Sequence, residues 1–167
     1  MLESLKRFFA GPKAGRDYAD LADWARRRGL VLKRAREGEG FAIDGALGGK
    51  PWRLEWGPPQ RAYIKGQELR LRMELSLPSD MQMLLLSRPL MEQLERQTYE
   101  QFVEGNTTQI DTSTPEEMRW LVMFPKVAMN ASKVVRAHFG AVASAPASGM
   151  AWIDGNLAHL LERATAG

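Results

Sequence analysis

Cysteine is absent from this chain of 167 residues, and histidine occurs only twice, at His138 and His159. Without a thiol there is no disulfide, no thiolate nucleophile and no thiolate-held metal. A transition-metal site would need both histidines, which lie outside any His-Glu-x-x-His pattern, so no metal and no cofactor is expected. His138 falls on the apolar side of the helix read there, which suits a hydrogen-bonded core histidine.

Long apolar runs are missing too. No stretch reaches the ~20 residues that a membrane-spanning helix needs. Lys6 and Arg7 interrupt Leu5 and Phe8 at the N-terminus, so no signal peptide is read and the expected location is the cytoplasm. Catalytic motifs fail in their details. The glycines between Gly38 and Gly49 do not form a phosphate loop, because Asp44 stands where a Walker-type glycine belongs and Pro51 follows Lys50 in place of Ser or Thr. Ile43 occupies the glycine position of a dinucleotide fingerprint, and no Gly-x-Ser-x-Gly elbow exists.

What is present begins with a strict alternation. Leu69, Leu71, Met73, Leu75 and Leu77 alternate with Glu68, Arg70, Arg72, Glu74 and Ser76. Period two sends these sets to opposite faces of a strand, so the aliphatic set is expected in the core and the charged set on the other face. There Arg70 and Arg72 can pair with Glu55, Glu68 and Glu74, and Arg53 joins them from a neighbouring strand. Shorter strands are expected over 30–35, 41–47 and 52–56, with turns around 37–40 and at Gly48-Gly49. The run 81–86 could form a strand or the first turns of a helix, and it is read as a strand. Connections of a few residues leave no room for helical crossovers, so the sheet is antiparallel.

Helices are expected on both sides of this sheet. The N-terminal one runs from Arg16 to Arg28, with Tyr18, Leu21, Ala22 and Ala25 inward and Gly29 as the C-terminal cap. Others cover 88–104, 115–124 and 126–139, with Pro125 breaking or kinking the pair, and a last one carries Ile153, Leu157, Leu160 and Leu161 on one face. Residues 106–113 read as a polar loop, and the Ala/Ser/Pro/Gly stretch 141–149 as a mobile linker. The expected architecture is a single α+β domain over residues 16–167: an antiparallel sheet of about five strands between residues 30 and 86, packed on one face by an N-terminal helix and three or four C-terminal helices. Residues 1–15, with a short amphipathic stretch at 2–9, are expected to be mobile or loosely docked.

Function is read as binding rather than catalysis. Met73, Met81, Met83 and Met91 cluster in a short span, and adaptable thioethers suit apolar partners. An edge strand carrying Met81 and Met83 could pair with a partner protein or with a second copy of the chain. The same methionines could also simply fill the core. The alternative is an anionic partner, nucleic acid or a membrane surface: residues 1–36 hold ten Lys/Arg against four Asp/Glu, including Arg26, Arg27 and Arg28. Those three arginines also suit the C-terminal end of a helix dipole. A third reading, hydrolysis by Glu55 and Glu74 as a carboxylate pair, has the least behind it. The candidates for partner binding are therefore Met81, Met83, Arg70, Arg72, Arg26, Arg27 and Arg28.

Overall fold

The computed structural model describes residues 18–35, 40–78, 80–105 and 114–166. The N-terminal segment 1–15, most of the 37–40 turn and the polar loop 106–113 lie outside the described residues. The fold is α+β with antiparallel pairing throughout, as the alternation requires. Its internal contacts gather into two compact units, Met1–Ser76 and Leu77–Gly167, each described by itself below.

In the first unit, helix α1 (Ala19–Arg27) ends where Gly29 takes φ +66°. The Leu30 amide donates to the Ala25 carbonyl and the Gly29 amide to that of Arg26. This double closure needs a left-handed residue, which glycine supplies without strain. The chain then turns into β1 (Val31–Arg34), β2 (Phe41–Leu47), β3 (Lys50–Gly57) and β4 (Glu68–Met73), one meander in the order β1-β2-β3-β4. Gly48 and Gly49, both at positive φ, make the two-residue β2–β3 turn.

Directly paired residues share a face. Ile43 lies across from Leu54, Phe41 from Trp56, and Trp56 in turn from Leu69. Tyr18, Leu21 and Trp24 pack with Phe41, Ile43, Trp52, Leu54 and Trp56, so α1 covers the apolar face over the first three strands. It does not cover β4. Leu69 is 48% exposed, Leu71 66% and Leu75 51%, where the alternation predicts core. Outer strands of a four-stranded sheet lie ~14 Å apart, and a single helix with its side chains is ~10 Å wide. One helix cannot span all four strands.

The second unit pairs β5 (Met83–Ser87) with β6 (Phe139–Ala143). The expected strand at 81–86 therefore exists but belongs to its own two-stranded sheet. Around it lie α2 (Arg88–Gly105), α3 (Glu116–Met123), α4 (Lys133–His138), α5 (Pro146–Trp152) and α6 (Gly155–Thr165). Asp154 and Ser132 cap α6 and α4 by accepting from the Leu157 and Val135 amides. The core gathers Val127, Met129, Ala141, Ala143 and Ile153, with Met83, Leu85 and Leu157 against them.

Two expectations are corrected here. Residues 141–149 are not a mobile linker: they hold the end of β6 and most of α5. Within this stretch Gly149, and just before it Gly140, are small because large neighbours need the space. A Cβ on Gly140 would overlap the Met91 sulfur, and one on Gly149 would come within 2.8 Å of Val127. The helix expected over 126–139 is interrupted as well. Pro125 ends α3's course, Lys126 bridges to Val142, and only Lys133–His138 is helical. His138 is consequently exposed, with Nδ1 2.9 Å from the Val134 carbonyl, rather than buried. Among the described residues no helix is long and apolar enough to cross a membrane.

Gly45 provides a test of the first unit's packing. A Cβ there would overlap the rigid Trp52 indole and come within 2.9 Å of Leu30. Gly45→Ala is expected to destabilise the sheet by about 1–3 kcal/mol, read as an earlier urea midpoint in tryptophan fluorescence. An unchanged midpoint would show that the indole moves aside freely.

Candidate functional site

The second face of the four-stranded sheet carries charge, and the register decides who meets whom. Asp44 lies across from Arg53, Arg53 across from Arg72, and Glu55 across from Arg70. Two arginines directly opposed would repel. Carboxylates on either side relieve them: Asp44 reaches Arg53 at 3.0 Å, and Glu55 reaches Arg53 at 3.0 Å and Arg72 at 4.0 Å. The line continues outward on both sides. Lys33 pairs with Asp44 at 3.0 Å, Arg70 stands 3.6 Å from Glu55 and 3.1 Å from Glu68, and Arg61 closes it on Glu68 at 3.0 Å. Signs alternate from β1 to the loop beyond β3.

That loop explains why charged residues, and not leucines, are withdrawn from water on β4. Between β3 and β4 the chain folds back over the charged face. The Gln60 amide donates to Glu68 at 2.7 Å, Arg70 donates to the Pro58 carbonyl at 3.2 Å, and Arg72 donates to the Gln60 side chain at 2.6 Å. Glu68 ends 6% exposed and the Arg70 side chain 12%.

The carboxyl pKa values record the balance. Burial raises that of Glu68, but the Gln60 amide and the Arg70 and Arg61 guanidiniums together outweigh it and hold it below its ordinary 4.5. Glu55 is lowered chiefly by the hydrogen bond from Arg53, against the opposing effect of burial, with Arg72 and Arg70 adding attraction. Asp44 is lowered first by its hydrogen bond from Lys33.

The candidates named from the sequence are thus dispersed. Arg70 and Arg72 sit together on this face, but their hydrogen bonds go to the chain's own loop and Glu68. Arg26 pairs with Asp23 at 2.9 Å one helical turn away, Arg28 stacks 4.5 Å over the Trp24 ring, and Arg27 is exposed in the last turn of α1. Met83 packs against the Val127–Ile153 core, and Met81 is half-buried just before β5. Glu55 and Glu74 are not brought together. Glu55 faces Arg70, whereas the Glu74 amide bonds Pro51 near the far end of β3, about four residues or ~13 Å along the strand. Among the described residues no group of three or more His, Cys, Asp or Glu could hold a metal ion.

The feature that sequence reasoning missed is the row on β4 itself. Leu69 and Leu71, followed by exposed Leu75 just past the strand's end, form an uncovered apolar stripe on a strand whose outer side has no neighbour among the described residues. The direction of the backbone follows from one bond. Because the Glu74 amide points to Pro51 on β3, the even-numbered residues of β4 face inward and the amides and carbonyls of Leu69, Leu71 and Met73 face the open side. Apolar side chains and unpaired backbone therefore occur on the same strand.

Carboxylates with lowered folded-state pKa values stabilise fully above their ordinary values, and that contribution is lost as pH falls through the lower folded values. The urea midpoint should accordingly hold above about pH 4.5 and fall below it, the ordinary glutamate value being 4.5. Glu68→Gln should lower stability at neutral pH by roughly 1.5–3 kcal/mol and flatten the acid decline; a variant with the wild-type pH profile would contradict the role given to Glu68. No protein-family model matches this chain, and neither a curated protein nor a solved structure does, so the geometry of these residues alone carries the functional reading.

Proposed function

We propose that this chain is a non-catalytic protein-binding module, an adaptor that accepts an extended segment of a partner at the open edge of β4. The observation that carries the reading is the coincidence on one strand of exposed Leu69 and Leu71 with outward-facing backbone groups. Strand addition uses both: main-chain hydrogen bonds supply affinity, and alternate side chains select the partner. A solvent-exposed apolar row of this kind has no use in a monomer and is a liability on an edge strand. The cysteine-free chain is indifferent to redox compartment, and the cytoplasm is the location this reading assigns.

The anionic-partner alternative has less behind it. Two of the arginines that would serve it, Arg26 in α1 and Arg28 just after it, already have partners on that helix, Asp23 and the Trp24 ring.

Leu71 is two-thirds exposed, so Leu71→Lys should leave folding intact, with thermal unfolding close to wild type. With wild-type and Leu71→Lys chains as baits in lysate of the native cell, a partner is expected on the first and missing from the second. In the complex, the amides of Leu69, Leu71 and Met73 should gain protection from hydrogen exchange. Capture indifferent to Leu71, with those amides unprotected, would remove β4 as the docking site.

A further inference from the structure

We propose that the loop between β3 and β4, residues 58–67, is a strap latched by Glu68 whose opening regulates docking at the β4 edge. Closed, it keeps Arg72 off the strand's outer side; open, it releases that arginine to bar a second chain. This rests on the β4 docking reading and adds its regulation.

The strap is built to open apart from the sheet. No residue of 58–67 is buried, whereas Gly57 before it and Glu68 after it are. Little apolar area therefore holds it down. Polar contacts tie it to β4: the Gln60 amide and the Arg61 guanidinium donate to Glu68 at 2.7 and 3.0 Å, and Arg70 donates to the Pro58 carbonyl at 3.2 Å. Two of these converge on one carboxylate, which makes Glu68 the latch. On the face the strap covers, Glu55 Oε2 and Arg70 Nε stand 3.6 Å apart, closed off from solvent and without a hydrogen bond to any described residue. Buried polar atoms left in that state are costly, and opening lets water reach both.

The consequence for the edge follows from Arg72. Its side chain is 60% exposed and its ion pair with Glu55 is long, at 4.0 Å, while its hydrogen bond to the Gln60 side chain is 2.6 Å. Gln60 belongs to the strap and leaves with it. A cation then becomes free to swing over the outer side of β4, where pairing a second strand has to desolvate it. Arg70 differs, because Glu68 and Glu55 flank it at 3.1 and 3.6 Å from the sheet itself. Arg72 is thus the guard, and Gln60 the contact that disarms it.

Hydrogen exchange on the full chain tests the latch. The Gln60 amide should exchange at least about tenfold faster than those of Ile43 and Leu54, which pair at the centre of the sheet. Glu68→Gln should speed the Gln60 amide by about another tenfold and change the central pair far less. Should that variant fail to fold, Arg61→Ala, which removes one of the latch's donors, should move the Gln60 amide in the same direction. A Gln60 amide as protected as the central pair, or exchange that rises equally everywhere, overturns the strap.

The coupling to the edge is read with the lysate baits described above. Gln60→Ala alters an exposed side chain, keeps the amide bond to Glu68 and removes the acceptor of Arg72. It should lose the partner that the wild-type bait captures, and Gln60→Ala combined with Arg72→Ala should recover it. Capture indifferent to Gln60→Ala, or not recovered by the second substitution, overturns the role given to Arg72. Failure of the docking reading looks different: a wild-type bait that captures nothing, or capture that survives Leu71→Lys, removes the coupling together with the docking site, while the Gln60 amide still decides the latch.

Discussion

A nine-residue helix cannot cover a four-stranded sheet, and the character of the first unit follows from that shortfall. The helix α1 spends its apolar side on Phe41, Ile43, Trp52, Leu54 and Trp56. Those aromatic and branched side chains offer the largest area, and Tyr18 adds edge-on ring contacts to Phe41 and Trp56 at 5.4 and 6.3 Å. β4 lies beyond its reach. A sheet in this position can lengthen its helix, shed a strand or leave one strand uncovered, and among the described residues the helix of this one leaves β4 uncovered.

The opposite face is solved by a different interaction. The ion-pair line there joins eight of the described side chains, five cations and three carboxylates, and water is kept from part of them by the β3–β4 loop. Glu68 is central to that arrangement because it accepts from a backbone amide and from two guanidiniums at once. A buried carboxylate with one partner would be costly; with three donors its lone pairs are occupied and burial becomes tolerable. The same residue thus fixes the loop, satisfies Arg70 and sets the end of β4. Its neighbours are less demanding, since exposed pairs such as Lys33 with Asp44 gain little from their Coulomb attraction.

Much of this was legible from residue order, and the failures have physical causes. Alternation along Glu68–Met73 assigned each side chain to its correct face, and Gly29, Gly48 and Gly49 marked their turns, because both signals are local. Which face becomes core is not local. It depends on how far α1 extends and on where the β3–β4 loop lies, and neither is written in β4. The stretch 141–149 misled for a related reason: Ala, Ser, Pro and Gly resemble a linker when read alone. Gly140 and Gly149 are small because Met91 and Val127 press on them from distant parts of the chain. Likewise, the candidate surface was sought on Met81 and Met83, whereas the uncovered apolar side chains belong to a strand that pattern alone places in the core.

The two edges of the four-stranded sheet differ in length and in how their charges are held, which bears on the proposal that β4 is a docking edge. Edge strands are commonly blunted by brevity and by exposed cations that resist a second chain. β1 is the shorter, at four residues, and its exposed Lys33 is drawn onto Asp44 much as Arg70 is drawn onto Glu68. β4 is longer, and its cations do not stand guard. Arg70 is drawn against Glu68 and Glu55, and Arg72 is bound to Gln60. Those contacts pull the charges over the loop and away from the strand's outer side, while Leu69 and Leu71 stay in water. An edge disarmed by the same ion pairs that stabilise its sheet costs solubility unless something joins it.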